Sequence, residues 1–255
     1  MDFKRLLIAC ALVVSVQATG AEFPGAKPIR MVVPFAAGGS SDVVGRLVGA
    51  KMAASLQQTI IVDNRAGAGG AIGSDIVAKA APDGYTLLLV DALHIVSPLF
   101  NRNTLYDPIK DFTPISMIAK SPLFLACNTG FEAKTVADVV ALAQKDPGKV
   151  TAGLPGSGSI VIEMIKLRGK INLNLIPYKG GAPAVNDLVA GNVNLLAATI
   201  ATFGGFVNSG RLRLLATSAP VRHPDYPDVP TFAEAGMPGV EYEQWFGMMG
   251  PAKLS

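Results

Sequence analysis

The feature that most constrains the fold is a regular alternation of short apolar runs with helix-forming segments between residues 29 and 218. Runs rich in Val, Ile and Leu are typical of buried strands, and apolar residues three or four positions apart are typical of helices that pack on a sheet. Strands that alternate with helices form mostly parallel sheets with helices on both faces. The sequence therefore predicts an α/β protein.

The same pattern gives the approximate bounds of the elements. The predicted strands span residues 29–34, 59–62, 85–90, 123–127, 150–152, 172–176, 193–197 and 212–218. The predicted helices span residues 42–56, 72–80, 136–144, 161–167 and 183–190.

Two stretches without helical periodicity interrupt this series and suggest two lobes. One spans residues 108–122, and the other spans residues 219–230 and contains four prolines. We therefore expect domain 1 to comprise residues 22–118 and 219–255, with domain 2, residues 119–218, inserted between them. Two adjacent crossovers of this kind can act as a hinge. A single doubly wound sheet is the alternative for a chain of this length.

Charge and composition exclude several classes of function. The 22 basic and 19 acidic residues give a net charge of +3 that is spread along the chain. Nucleic-acid-binding proteins carry a clustered basic face, so we expect no nucleic-acid partner. Two cysteines and two histidines exclude a disulfide scaffold and argue against a zinc site, and we predict no metal and no cofactor. We expect a monomer.

The N-terminus has the pattern of an export signal. Lys4 and Arg5 precede an apolar run, residues 6–16, and small residues follow at positions 18–21. Such a pattern predicts a cleavable signal peptide over residues 1–21 and a periplasmic location. The apolar run is shorter than the roughly 20 residues that a membrane-spanning helix needs, although an uncleaved anchor is the alternative.

Four glycine-rich segments each follow a predicted strand and precede a predicted helix. Free N–H groups at such a helix start bind anions, with help from the helix dipole. An ordinary capped turn is the alternative for the first segment, and a solvated surface charge is the alternative for Lys179. No Walker motif occurs, and Ile72 breaks the glycine pattern of a dinucleotide fingerprint. The candidate ligand-binding residues in these segments are Phe35, Ala37, Gly38, Gly39, Ser40 and Asp42; Gly69 and Gly70; Gly156, Ser157, Gly158 and Ser159; and Tyr178, Lys179 and Gly180.

Catalysis has little support in the sequence, and we expect no enzyme activity. There is no G-x-S-x-G nucleophile motif, and the two histidines have no acidic partner at a familiar spacing. His94 follows a predicted strand and is a candidate for the cleft, with a purely structural histidine as the alternative. An exported hydrolase or lyase that uses His94 with Asp91 is the rival reading.

Long segments of the chain resemble a known receptor family. They include KPIRMVVPFAAGGSSDVVGRL, IIVDNRAGAGGAIGSDIVAKAAPDGYTLLL, IPYKGGAPAVNDLVAGNVNLL and YPDVPTFAEAGMPGVEYEQWFGMMGPA. These segments resemble the Bug-type, or TctC-like, solute receptors of tripartite tricarboxylate transporters, and the resemblance covers nearly all of residues 22–252.

The resemblance implies a two-lobed periplasmic-binding-protein fold of the Venus-flytrap, type II-like class, with a mostly parallel sheet and flanking helices in each lobe. It also implies capture of a small carboxylate and its delivery to a two-component membrane permease. In the family the loops here at Phe35–Asp42 and Gly156–Ser159 hold the carboxylate. Thr199 lies where the family commonly has a polar cleft residue and completes the candidate set.

The resemblance also sets an expectation about the C-terminus. The family usually continues past the position of Ser255, so we expect domain 1 to be incomplete there. The alternative function is therefore a truncated relative that has lost ligand binding and acts as an interaction or sensing partner.

Overall fold

The computed structural model describes residues 23–25, 27–100 and 104–254. The predicted signal peptide therefore lies outside the described residues. The strands are β1 (Ile29–Val33), β2 (Ile60–Asn64), β3 (Thr86–Val90), β4 (Phe112–Pro122), β5 (Phe124–Asn128), β6 (Thr151–Pro155), β7 (Asn174–Tyr178), β8 (Leu195–Ala198), β9 (Leu212–Thr217) and β10 (Glu243–Pro251). The helices are α1 (Ser40–Leu56), α2 (Ala71–Ala78), α3 (Ala92–Phe100), α4 (Val136–Lys145), α5 (Gly158–Gly169), α6 (Gly181–Ala190) and α7 (Ile200–Asn208).

Every predicted strand and helix is present with slightly different bounds. The elements that the sequence pattern did not predict are β4, β10, α3 and α7. No helix in the described part of the chain is long and apolar enough to cross a membrane.

The strands form two five-stranded sheets with the same topology. The order is β2-β1-β3-β10-β4 in the first sheet and β7-β6-β8-β5-β9 in the second. In each sheet four strands point the same way, and one strand, β10 or β5, is antiparallel to both neighbours. The first sheet with α1–α3 is called the first lobe, and the second sheet with α4–α7 the second lobe. The prediction of two mostly parallel sheets flanked by helices is confirmed.

The central strands of each sheet are buried on both faces, which explains the continuous apolar runs in the sequence. In β3, Leu87 and Leu89 point to one core of the first lobe, and Leu88 and Val90 point to the other. The strands of the second lobe separate their side chains in the same way, with Leu125 in one core and Phe124 in the other. In both lobes, the loops at the carboxyl ends of the central strands are therefore attached to buried strands.

The chain crosses between the lobes twice. It passes directly from β4 to β5, and it returns through residues 218–242 to β10. Residues 219–242 were predicted to belong to domain 1. However, Phe232, Met237 and Val240 lie in a core of the second lobe, so this part of the predicted boundary is wrong. This return segment is rich in proline and shows no helical or strand pattern, so its sequence did not indicate that it packs in the core of the second lobe.

Ser218 joins the two crossovers at the hinge. Its hydroxyl accepts a hydrogen bond of 2.9 Å from the Leu123 N–H and donates one to the Tyr242 carbonyl. The Ser218 N–H donates to the Leu123 carbonyl, and the Tyr242 N–H donates to the Ser218 carbonyl. One buried serine thus connects the outgoing and the returning chain.

Candidate functional site

A narrow cleft of about 30 Å³ lies between the lobes. Its walls come from the carboxyl ends of β1, β3, β6 and β8, from α1, α5, α6 and α7, and from β10. The lining residues are Phe35, Gly39, Ser40, Ser41, Asp91, Pro155, Gly156, Ser157, Gly158, Gly180, Gly181, Ala197, Ala198, Thr202 and Gln244. The structure thus brings the first, third and fourth predicted glycine-rich segments together.

Three helices start at this cleft without a side-chain cap. The N-cap residues are Gly39 for α1, Ser157 for α5 and Gly180 for α6, and no side chain of these residues bonds to its helix. By contrast α4, which starts away from the cleft, has a complete capping box formed by Thr135 and Asp138. The first N–H groups of α1 and α6 are therefore available to an anion, whereas at α5 the N–H groups of Ser159 and Ile160 already donate to the Gly156 and Ser157 carbonyls.

The start of α1 differs from its prediction. The helix was predicted to begin at residue 42, but it begins at Ser40 and Gly39 occupies the cap position. The Asp42 carboxylate instead accepts a 2.9 Å hydrogen bond from the Gly38 N–H, and Arg46 pairs with it. Burial by itself raises the pKa of Asp42, but the hydrogen bonds from Arg46 and Gly38 outweigh it and lower this pKa.

Glycine is required at the start of α5 because the backbone of β8 lies against it. A Cβ at Gly158 would lie 1.9 Å from the Ala197 carbonyl oxygen. The helix start therefore sits directly on the end of β8. A larger residue here would move the N–H groups of α5 away from the cleft.

The two lobes touch across the cleft through backbone and glycine. The Ala36 N–H donates a 3.3 Å hydrogen bond to the Lys179 carbonyl. A Cβ at Gly39 would lie 3.3 Å from the Gly181 nitrogen, and one at Gly180 would lie 3.0 Å from the Ala36 nitrogen. The start of α1 in the first lobe therefore faces the start of α6 in the second lobe in a closed arrangement.

A second, larger cavity of about 490 Å³ opens on the other side of Phe35 and Gly156. Its lining includes five further predicted residues, namely Gly69, Gly70, Ser159, Tyr178 and Lys179. The Ser159 hydroxyl donates to the Gly156 carbonyl at 2.7 Å. Burial and a hydrogen bond to Asp187 raise the pKa of Tyr178 to about 12. Predicted residues of both lobes thus divide between two cavities that share Phe35 and Gly156.

Five predicted residues do not line either cavity. Ala37 and Gly38 are exposed in the loop before α1, and Asp42 is buried beneath that loop. Thr199 is the buried N-cap residue of α7, and its hydroxyl has no hydrogen-bond partner among the described residues. These four residues are therefore not part of the cleft lining. The fifth, His94, is buried inside the first lobe.

His94 is packed inside the first lobe. Its ring stacks on Tyr106, its Nδ1 lies 3.0 Å from the Ser74 hydroxyl, and its Nε2 lies 3.2 Å from the Pro108 carbonyl. Burial lowers the pKa of His94 to about 4, so the ring is neutral at pH 7. The prediction that His94 lines the cleft is wrong, because the ring turns toward the core and does not contact the Asp91 carboxylate.

Four polar residues of the cleft, namely Ser41, Asp91, Thr202 and Gln244, were absent from the predicted set. Asp91 follows β3 directly and is only 3% exposed, and Gln244 on β10 is only 4% exposed. An acid placed immediately after a buried strand is a signal that could have identified Asp91 as a cleft residue. No such signal existed for Gln244, because β10 was not predicted. The described residues contain no group of three His, Cys, Asp or Glu side chains that could hold a metal ion.

Comparison with known proteins identifies the family. A profile described as "Tripartite tricarboxylate transporter family receptor" matches residues 44–255. This chain belongs to that family. Its family and fold are those of solute-binding receptors and not of enzymes, so the rival reading of a hydrolase or lyase is excluded.

Individual receptors of known sequence or structure agree with this assignment. Protein BugT of Bordetella pertussis is 36% identical over 98% of this chain and 80% of its own length. The structure of R. palustris Rpa4515 with adipate is 33% identical with a TM-score of 0.88, covering 92% of this chain and 79% of that one. MatC from Rhodopseudomonas palustris with bound malate is 31% identical with a TM-score of 0.87, covering 91% of this chain and 80% of that one. The resemblance to Bug-type receptors is confirmed.

Proposed function

We propose that this receptor captures a small carboxylate between its two lobes and delivers it to the two-component permease of a tripartite tricarboxylate transporter. The observation that carries the proposal is the meeting of uncapped helix starts from both lobes, α1 from the first and α5 and α6 from the second, at one cleft. The adipate and malate in the two related structures support a carboxylate as the ligand.

Closure of the lobes is the mechanism that this arrangement favours. A ligand shifts the equilibrium toward the closed form only if it binds that form better than the open one. A carboxylate that accepts hydrogen bonds from N–H groups of both Gly39–Ser40 and Gly180–Gly181 meets this condition, because opening the hinge breaks one set. The Ser40 hydroxyl lines the same cleft and adds a further donor.

The place of action and the partner follow from the same proposal. The export signal predicted over residues 1–21 supports a periplasmic location. A receptor of this family acts with a membrane permease, and the closed lobes are the form that the permease would recognise. The receptor itself works as a monomer with a small carboxylate ligand and without nucleic acid.

Thermal unfolding of the purified protein against mono-, di- and tricarboxylates and amino acids tests capture. A ligand at a hundred times its dissociation constant stabilises the folded state by about 2.7 kcal/mol, which raises the unfolding midpoint. The Ser40→Asp variant places a carboxylate at the start of α1, where the helix dipole favours it, so the protein stays folded while an external anion is repelled. Ser116→Asp adds the same charge at an exposed position of β4 and is the matched control.

We expect one acid or a small group of acids to raise the midpoint of the wild type and of Ser116→Asp but not that of Ser40→Asp. A stabilising acid that still acts on Ser40→Asp would contradict the proposed site. If no acid stabilises the wild type, the alternative of a receptor without ligand binding replaces the proposal. Uptake of the identified acid by cells lacking the gene, restored by the wild type only, tests delivery.

A further inference from the structure

The cleft contains one ionisable side chain that the capture of a carboxylate does not explain. Asp91 is the residue between β3 and α3. It lines the cleft from the first lobe, and 3% of its surface is exposed. Its carboxylate accepts a 2.9 Å hydrogen bond from the Leu93 N–H. It also accepts a hydrogen bond from the hydroxyl of Ser157, which belongs to the second lobe. An acid therefore sits at the contact between the lobes, beside the place proposed for an anionic ligand.

No cation of the described protein compensates this acid. The described residues that line the cleft include neither Lys nor Arg. The titratable groups around Asp91 are Tyr106, Tyr242 and His94. The negative charge of Asp91 helps to raise the pKa of both tyrosines, and the backbone N–H of His94 donates to the Asp91 carbonyl. Burial raises the pKa of both tyrosines and lowers that of His94 to about 4, so all three are uncharged at neutral pH.

A buried carboxylate without a positive partner is unstable in its charged form. Burial accordingly raises the pKa of Asp91 to about 7, in spite of the hydrogen bonds from Leu93 and Ser157. Near neutral pH the acid is therefore only partly ionised. A positively charged group on a ligand can take the place of the neutralising proton.

We propose that Asp91 makes this receptor selective for carboxylates that carry an ammonium group, that is, for amino acids over simple mono-, di- and tricarboxylates. This inference rests on the proposed function and names the class of ligand. The ammonium group lies against Asp91, and the carboxylate accepts from the N–H groups at the facing starts of α1 and α6. Gln244 and Thr202, which line the same cleft, are available to the remaining polar groups.

The reverse charge pattern explains why simple polycarboxylates are rejected. A second ligand carboxylate in this small cleft would lie near the buried Asp91, and two like charges in a site of low polarity repel strongly. Such a ligand binds only if Asp91 takes up a proton. Its affinity therefore falls as the pH rises, whereas an ammonium ligand stabilises the ionised acid.

Binding calorimetry with matched acids, which differ only in the amino group, tests the inference. The probes are L-glutamate against glutarate and L-alanine against propionate, at pH 6 and pH 8. Asp91→Asn keeps the shape of the side chain and the oxygen that accepts from Leu93, but it removes the charge. Asp225→Asn removes a charge from a side chain that is 81% exposed and serves as the matched control.

We expect the wild type and Asp225→Asn to bind the amino acid of at least one pair about tenfold or more tightly, since one unit of pKa difference corresponds to a factor of ten in binding. In Asp91→Asn this preference disappears, and the pH dependence of glutarate binding disappears with it. Equal binding of both members of a pair, or a preference that survives in Asp91→Asn, overturns the inference while leaving carboxylate capture intact. If no acid binds to any variant, the proposed function fails as well.

Discussion

Replacing Ser218 with alanine tests whether the hinge depends on a single hydroxyl. The Ser218 side chain is 1% exposed, and its hydroxyl serves Leu123 from the outgoing crossover and Tyr242 from the returning one. Alanine keeps the backbone hydrogen bonds of this residue. It leaves the Leu123 N–H and the Tyr242 carbonyl each without one partner.

The size of the effect follows from the burial of these two groups. A buried polar group that loses its partner costs about 1–3 kcal/mol, and Leu123 is fully buried, whereas Tyr242 is only partly buried. We therefore expect the free energy of unfolding to fall by about 2–4 kcal/mol. For a protein of this size that change lowers the melting temperature by about 4–16 °C.

Urea unfolding, followed by Trp245 fluorescence and by circular dichroism, measures this change. Trp245 is the one tryptophan of the chain and lies on β10, just past the returning crossover, whereas circular dichroism reports on both lobes. Ser209→Ala removes a hydroxyl from an exposed residue that donates only to Phe206 and is the control, with an expected change within about 0.5 kcal/mol. If Ser218→Ala unfolds at the same urea concentration as Ser209→Ala, the account of the hinge is refuted.

Two further predictions concern pH and packing. Between pH 4 and 6.5 the unfolded chain binds a proton at His94 that the folded chain does not, so stability falls by up to about 3 kcal/mol as the pH decreases through this window. Asp91 acts in the opposite direction, because its pKa is raised to about 7 in the folded protein. The urea midpoints at pH 7 and pH 5 should therefore differ more in Asp91→Asn than in the wild type. An unchanged difference would contradict this assignment. Gly158→Ala should destabilise the protein by about 1–3 kcal/mol because its Cβ meets the backbone of β8, whereas Gly204→Ala, with open space around it, should be neutral; equal melting temperatures for the two variants would show that α5 can shift freely.

An element can be predicted from the sequence when its own residues show the periodicity of a strand or a helix. β1 and β3 were predicted because burial on both faces requires apolar residues, and four of the five residues in each strand are buried and apolar. α3 was missed because its sequence is apolar on all sides and contains Pro98, so it shows neither a polar face nor a clear end.

Long-range pairing accounts for the other elements that were missed. β10 lies between β3 and β4, and the partners that make it a strand are distant in sequence. Gln244 was therefore missed as a cleft residue along with β10. The glycine-rich starts of α1, α5 and α6 were found because glycine after a strand is a local signal. The inward turn of His94 could not be found, because it depends on Tyr106 and Pro108.

The strand order also sets the sequence of events when the chain first folds. The second lobe uses consecutive strands from β5 to β9, so its sheet can assemble as soon as that stretch is available. The first sheet cannot close in the same way, because its β3 and β4 have to wait for β10, which follows the entire second lobe. Contacts between distant segments form slowly, so the lobe that begins the chain is the last to be completed. A chain built in this order therefore stays open along the first sheet until β10 has formed.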